Sequence, residues 1–452
     1  MKLAIAAGAA LGVLYTLSPL TVLCLAGIVA IAAWMTKSMS PRERGWFVGL
    51  LLAAVALRLA AIAALFLFAD PTRPYANFFG DEELFKNRTV WLRNVSIGIP
   101  ISPADTIYVF DEVGRSSYLY LLAYIQALVG DAPYGANVLN ACWYVSAVLL
   151  LHWFMRRAYG RVAAMGALVL LLFLPSLFSW SVSVLKEPLY MSLAAVELIC
   201  AVQIVRAPRI WQRLAAIAAV IGLAYVLDSV RVGGWMFAMV GSTVGVLIAM
   251  IYQRPRLAAP AVALAPVLLL IALWQPAVQT RVLRIVQEAA FQHWGHVATP
   301  GYSYKLLDPR FYRDARPVVY TMTAPEAGRY VIRALGNFVT VPRPSQVESR
   351  AALAYLPEQA IWYVVLALVP IGAVAGFRRD PVVTSLLLSH GLAASVMVAL
   401  TGGNIGTLIR HRGLTLPYFS WLAALGACHV VHSLAARRAE PSPPSLPSGE
   451  HA

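Results

Sequence analysis

The length of its apolar runs limits this chain more than any other feature. Ten stretches, at 46–69, 135–156, 162–180, 187–205, 212–228, 233–252, 257–275, 358–377, 381–401 and 414–435, are long and apolar enough for a membrane helix, which needs about 20 mainly apolar residues. Several carry no charge. A soluble domain could not hide this much apolar surface: 60% of the 452 residues are hydrophobic and 13% charged, whereas roughly half apolar is typical. The expected fold is all-α, a polytopic transmembrane helix bundle.

A further apolar run extends from Met1-Lys2 to Trp34. It is longer than a signal-peptide core and no cleavage site follows it. Residues 1–35 therefore read as a retained anchor, or as a hairpin broken near Ser18-Pro19. The total is eleven spans in the first case and twelve in the second.

Charge gives the orientation. The net charge of +15 would suggest nucleic acid in a soluble protein. Here the basic residues cluster at helix ends, at Arg156/Arg157/Arg161, Arg206/Arg209/Arg213, Arg254/Arg256, Arg378/Arg379 and Arg437/Arg438, as short cytoplasmic loops do. Exposed aromatics of the kind that line a nucleic-acid groove are not interleaved with them, so no nucleic-acid partner is expected. With Lys37–Arg44 inside, each later cluster also falls inside, and the C-terminus is cytoplasmic. Segments 70–117 and 276–356 become outside loops, periplasmic in a bacterial inner membrane. Residues 118–130 form a short apolar helix expected at the outer interface, and the Pro/Ser-rich tail within 437–452 reads as disordered. The cysteines Cys24, Cys142, Cys200 and Cys428 lie in apolar runs without metal-ligand spacing.

The unusual polar residues gather on the outside. Gly80-Asp81-Glu82-Glu83 follows a span; it suits either a solvated turn or a carboxylate held at the surface as a general base or metal ligand. Lys186-Glu187-Pro188 lies close to hydrocarbon depth, where charges are paired or functional. Asp228 and Arg231, spaced i, i+3, can form a local ion pair, or Arg231 can face an anion. Gly402-Gly403-Asn404 leads into Arg410-His411-Arg412, where glycines permit close backbone approach and guanidinium forks suit phosphate oxygens. Snorkelling to lipid headgroups is the alternative for these arginines. Acids and phosphate-type cations on one side suit sugar transfer from an isoprenoid phosphate. The acidic run at 81–83 would supply the base for the acceptor hydroxyl and the Arg410-His411-Arg412 segment the phosphate contacts; Glu187, Asp228 and Asn404 would support them. No cofactor is required, although carboxylates suit Mg2+ or Mn2+. His293 and His296 lack a third ligand at zinc spacing.

The stretch Tyr118–Gly130, Asn137–Gly160, Leu174-Pro175-Ser176 and Lys186-Glu187-Pro188 resembles the core of GT-C-type membrane glycosyltransferases, including family 39 protein O-mannosyltransferases and bacterial aminoarabinose transferases. The likeness covers about 46–250, a GT-C-like core within 46–275, and is weaker over the C-terminal helices 357–436. It implies periplasmic interfacial helices, a catalytic acid at Asp81 with Glu82 as its close competitor, donor-phosphate contacts from Lys186, Arg231, Arg410, His411 and Arg412, a lipid-linked sugar donor, and a glycan, lipid or protein acceptor. The extra N-terminal run and the Arg-His-Arg segment depart from that pattern. Two other readings stay open: a polysaccharide polymerase or ligase using lipid pyrophosphates, and a lipid-linked sugar transporter. A transporter would place charges mid-membrane in interrupted helices of matching halves.

Overall fold

The computed structural model describes residues 8, 18–68, 80–110, 116–130, 134–298, 302–313, 318–343, 353 and 356–439. Among these the chain is almost entirely helical and forms no strand, only an isolated bridge between Ser303 and Asn404. The helices are α1 (Pro19–Thr36), α2 (Pro41–Leu67), α3 (Gly80–Ser96), α4 (Pro103–Phe110), α5 (Ser117–Val129), α6 (Gly135–Tyr159), α7 (Arg161–Phe173), α8 (Pro175–Val182) and α9 (Glu187–Arg206). They continue as α10 (Ile210–Val230), α11 (Gly234–Gln253), α12 (Pro255–Trp274), α13 (Pro276–Ala298), α14 (Ala324–Thr340), α15 (Leu356–Arg379), α16 (Pro381–Thr401), α17 (Ile405–Arg412) and α18 (Leu416–Ala439).

Nine described helices are long and apolar enough to cross a membrane, or up to eleven if each of two bent pairs is one span. These are α1, α2, α6, α9, α10, α11, α15, α16 and α18. The question of one N-terminal span or two falls on residues outside those described; α1 itself begins at Pro19, where the Ser18 hydroxyl caps the Thr21 amide. The tail from 440 onward also lies outside the described residues.

The run expected as one straight span at 162–180 is instead α7 and α8, bent by 60°. Pro175 has no amide to continue the ladder, and the groups freed by the break are satisfied by side chains. The Tyr144 hydroxyl donates to the Leu171 carbonyl. Arg58 donates to the Leu172 carbonyl at 3.0 Å and to the Ser181 hydroxyl at 2.8 Å, and the Ser176 amide donates to Glu358 Oε2 at 3.0 Å. Buried Arg58 also lies 5.2 and 5.1 Å from the Tyr144 and Phe178 ring centroids. An arginine within an apolar run thus braces a broken helix whose backbone has no water to turn to.

Glycines set the closest crossings. A Cβ on Gly372 of α15 would lie 1.8 Å from the Leu422 carbonyl oxygen of α18, and one on Gly241 of α11 would lie 2.5 Å from the His390 ring of α16. Both glycines begin a Gly-x-x-x-Gly pattern, with Gly376 and Gly245, the arrangement that lets membrane helices approach closely. At the second crossing His390 Nε2 meets Glu197 Oε2 of α9 at 3.0 Å, and Ser242 donates to the same carboxylate. This buried pair joins three helices.

The bundle has two distinct ends. At one, Arg156 pairs with Glu43, Arg206 with Asp380, and Arg379 donates to the Tyr159 carbonyl at 2.7 Å. These are the basic clusters of the short loops. The other end carries α3, α5, α13, α14 and α17. There α14 turns Ala327, Tyr330, Ala334 and Phe338 inward at helical spacing, and the Tyr330 hydroxyl donates to the Leu400 carbonyl of α16.

Candidate functional site

The site begins with a non-helical segment, 183–186, between α8 and α9. Two asparagines one turn apart on α6 hold it: Asn137 donates to the Val182 carbonyl at 2.7 Å, and Asn140 to the Ser183 and Leu185 carbonyls at 2.6 and 2.7 Å. Glu82 completes the frame. Its Oε1 accepts from the Val184 amide at 3.0 Å, from Asn137 at 2.9 Å and from Lys86 at 2.9 Å, and the side chain is fully buried. Of the two expected acids, Glu82 is therefore a strut, whereas Asp81 is 55% exposed.

The frame presents Lys186 and Glu187 at the start of α9. Pro188 suits the first turn of a helix, and a carboxylate there complements the helix dipole. Lys186 opposes that dipole, so its position adds positive charge to amides that already favour an anion. Among the described residues no carboxylate lies within salt-bridge distance of its ammonium, which sits over the Phe85 ring, 6.0 Å from Nζ to centroid. Burial, reinforced by the Arg231 charge, pushes the Lys186 pKa down to about 8.

Arg231 comes from the turn between α10 and α11. The expected local pair with Asp228 does not form. Asp228 Oδ1 instead accepts from the Gly233 and Trp235 amides, both at 3.1 Å, and Gly233 takes φ +89°, a conformation suited to glycine. With the turn fixed in this way, Arg231 reaches Glu187 at 3.2 Å and His411 Nε2 at 3.1 Å.

The Gly402–Arg412 segment differs most from expectation. Its glycines are used by protein: a Cβ on Gly403 would lie 2.4 Å from the His293 carbonyl oxygen. The Gly403 carbonyl accepts from the Tyr304 amide at 3.0 Å, and the Ile405 amide donates to the Tyr302 carbonyl at 2.9 Å. Asn404 caps α17 through the Gly406 and Thr407 amides at 2.9 and 3.3 Å. Because residues 405–412 are helical, Arg410 and Arg412 are about 200° apart around the axis and cannot share a face. Arg410 Nη1 pairs with Asp81 Oδ2 at 2.7 Å, and its Nε lies 3.8 Å from Glu187. Arg412 turns to the opposite side, where it donates to Gln359 at 2.6 Å and to the Phe338 and Val341 carbonyls. The three-residue clamp expected at Arg410–Arg412 is thus split, and Arg412 bolts α17 to α14 and α15.

His411 completes the cluster. Burial and then the Arg231 and Arg410 charges hold its imidazole well below the usual range, so a neutral ring nitrogen accepts from Arg231. His296, missed as a neighbour by its distance in sequence, packs edge-on at 6.2 Å between ring centroids. Four separated segments thus bring together Asp81, Lys186, Glu187, Arg231, Arg410 and His411. Among the described residues three cations here, Lys186, Arg231 and Arg410, meet two carboxylates, Asp81 and Glu187. Among the described residues no three of His, Cys, Asp or Glu stand together as a metal-ligand group.

Compared with models of known families, with characterised proteins and with solved structures, the chain matches none. The fold and its charged end define a class: a polytopic helical membrane protein with a partly buried ionic cluster at one end of the bundle.

Proposed function

We propose that the protein is a membrane glycosyltransferase, GT-C-like in arrangement, which transfers a sugar from a polyprenyl-phosphate donor to a glycan, lipid or protein acceptor. The observation that carries this reading is the meeting of Lys186, Arg231 and Arg410 beside the exposed Asp81 carboxylate at a single end of an apolar bundle. A lipid phosphate meets Lys186 and Arg231 while its hydrocarbon stays in the bilayer. Asp81 takes the acceptor hydroxyl proton, and the oxygen attacks the anomeric carbon. The bond from that carbon to the phosphate oxygen breaks, its electron pair leaving with the phosphate that the cations stabilise. A single base acting on the acceptor gives inversion. The basic end faces the cytoplasm of a bacterial inner membrane, and the cluster faces the periplasm.

The test is transfer by purified protein in lipid nanodiscs with a panel of labelled polyprenyl-phosphate sugars. Asp81→Asn is expected to lower the rate at least about 100-fold, the lower range for a general base, while the protein remains folded. Unchanged transfer by this variant refutes the assigned base. Transfer only from pyrophosphate-linked donors would instead identify a polymerase or ligase.

A further inference from the structure

We propose a second anion site, at the end of the bundle opposite the ionic cluster: the cleft between α15 and α18 binds the headgroup of an anionic phospholipid. It rests on the membrane reading of the fold and not on the proposed reaction. The cleft has a volume of about 260 Å³ and is lined by Val374, Arg378, Arg379, Leu425, His429 and His432, together with Ala375. Two other gaps in the bundle, beside Arg412 and beside Tyr190, have about 10 Å³ each, room for roughly one water.

The fold explains why the cleft exists. α15 and α18 meet at Gly372 and Gly426, where added Cβ atoms would strike the Leu422 and Leu368 carbonyls at 1.8 and 2.4 Å. Helices that cross so closely diverge beyond the crossing. The cleft lies one to two turns further toward the basic end.

Its chemistry is divided. Arg378, His429 and His432 are exposed at the mouth, and among the described residues no carboxylate pairs with Arg378. Arg379 spends Nη1 on the Tyr159 carbonyl, which fixes its guanidinium beside the cleft. Among the described residues the nearby acid, Asp380, is taken by Arg206. Toward the bundle middle the lining becomes apolar at Val374 and Leu425, and the adjoining outer face of α15 is exposed at Ile371 and Val374. A free phosphate would use only the basic mouth. A phospholipid uses both parts, with its phosphodiester among the arginines and histidines and its acyl chains along the exposed aliphatic residues. Basic pockets between membrane helices recognise anionic headgroups in this way.

The experiment titrates purified protein in uncharged detergent with fluorescent phosphatidylglycerol, with fluorescent phosphatidylcholine in parallel and glycerol 1-phosphate as competitor. Saturable binding of phosphatidylglycerol is expected, with affinity at least about fivefold weaker for phosphatidylcholine, in line with the loss of one ionic contact. Arg378→Gln with His432→Gln should weaken phosphatidylglycerol binding by a similar factor or more. Arg378→Lys should retain it and shows that the variants fold. Equal binding of the two lipids, no effect of the double variant, or displacement by millimolar glycerol 1-phosphate would each overturn the proposal, the last by showing a phosphate site without lipid selectivity.

Discussion

Lys186 and Glu187 are neighbours in sequence with different fates. Glu187 is buried against Arg231 and Arg410, whereas Lys186 keeps an ammonium with no carboxylate partner among the described residues. Burial lowers the lysine pKa to about 8, so the side chain is charged below that pH and neutral above it. Arg231, Arg410, Glu187 and Asp81 surround it; the arginines stay charged throughout. Affinity for a phosphate analogue is therefore expected to fall as pH rises through about 8. Lys186→Met should bind more weakly and lose most of that pH dependence. Calorimetric titration at pH 6.5, 8 and 9.5 measures both, and an unchanged profile in the variant would remove Lys186 from the anion site. At the same scale, Glu82 is the close competitor of Asp81 as the candidate base by sequence. What separates them is that Glu82 meets Asn137, Val184 and Lys86, partners far apart in the chain or fixed only by the helix it begins.

The elements divide into those that span and those that hold the site. The spanning helices were legible where their apolar runs are uninterrupted: eight of the ten expected stretches are single helices long and apolar enough to cross, α2, α6, α9, α10, α11, α15, α16 and α18, whereas 162–180 is the bent pair α7 and α8, and 257–275 falls on α12, which passes only together with α13 across a bend of 88°. The break at Pro175 was not read, although a proline inside such a run is the local cause. Nor were Arg58, Glu197 and His390 singled out, although ionisable residues inside apolar runs are themselves a signal. Their partners, Leu172, Ser242 and one another, come from other helices. The Gly-x-x-x-Gly crossings are a sequence signal of the same kind. Gly372→Ala should lower stability by about 1–3 kcal/mol, the usual range for overpacking, because the added methyl meets a carbonyl of α18 rather than a flexible side chain. Thermal unfolding in detergent measures the loss. Gly222→Ala is the control, because nothing lies within 4 Å of a Cβ there, and it should leave the midpoint within error.

For the whole molecule the decisive property is its polarity from end to end. Arg156, Arg206 and Arg379 lie at one end, and Asp81, Lys186, Arg231 and Arg410 at the other, as the alternation of basic loops requires. The assignment of these ends to the two sides of a membrane follows from the positive-inside rule. In a cysteine-free background, Ser96→Cys is expected to react with a membrane-impermeant maleimide in intact spheroplasts, and Arg209→Cys only after lysis. The reverse pattern would invert the orientation and place the ionic cluster in the cytoplasm.

The sequence by itself determined that this is a helical membrane protein, because apolar runs long enough to cross a bilayer are read directly along the chain; which runs cross as single helices was decided by the structure, where 162–180 breaks at Pro175 and 257–275 bends into α13. It also marked Asp81, Lys186, Arg231 and Arg410 as residues of one end. The tertiary structure alone decided which of them meet. Helical periodicity turned Arg412 away from Arg410, the Gly233 turn took Asp228 from Arg231, and packing of residues 302–304 closed the glycine loop to ligands. Each outcome depends on a partner distant in sequence or on a backbone conformation that residue type alone leaves open.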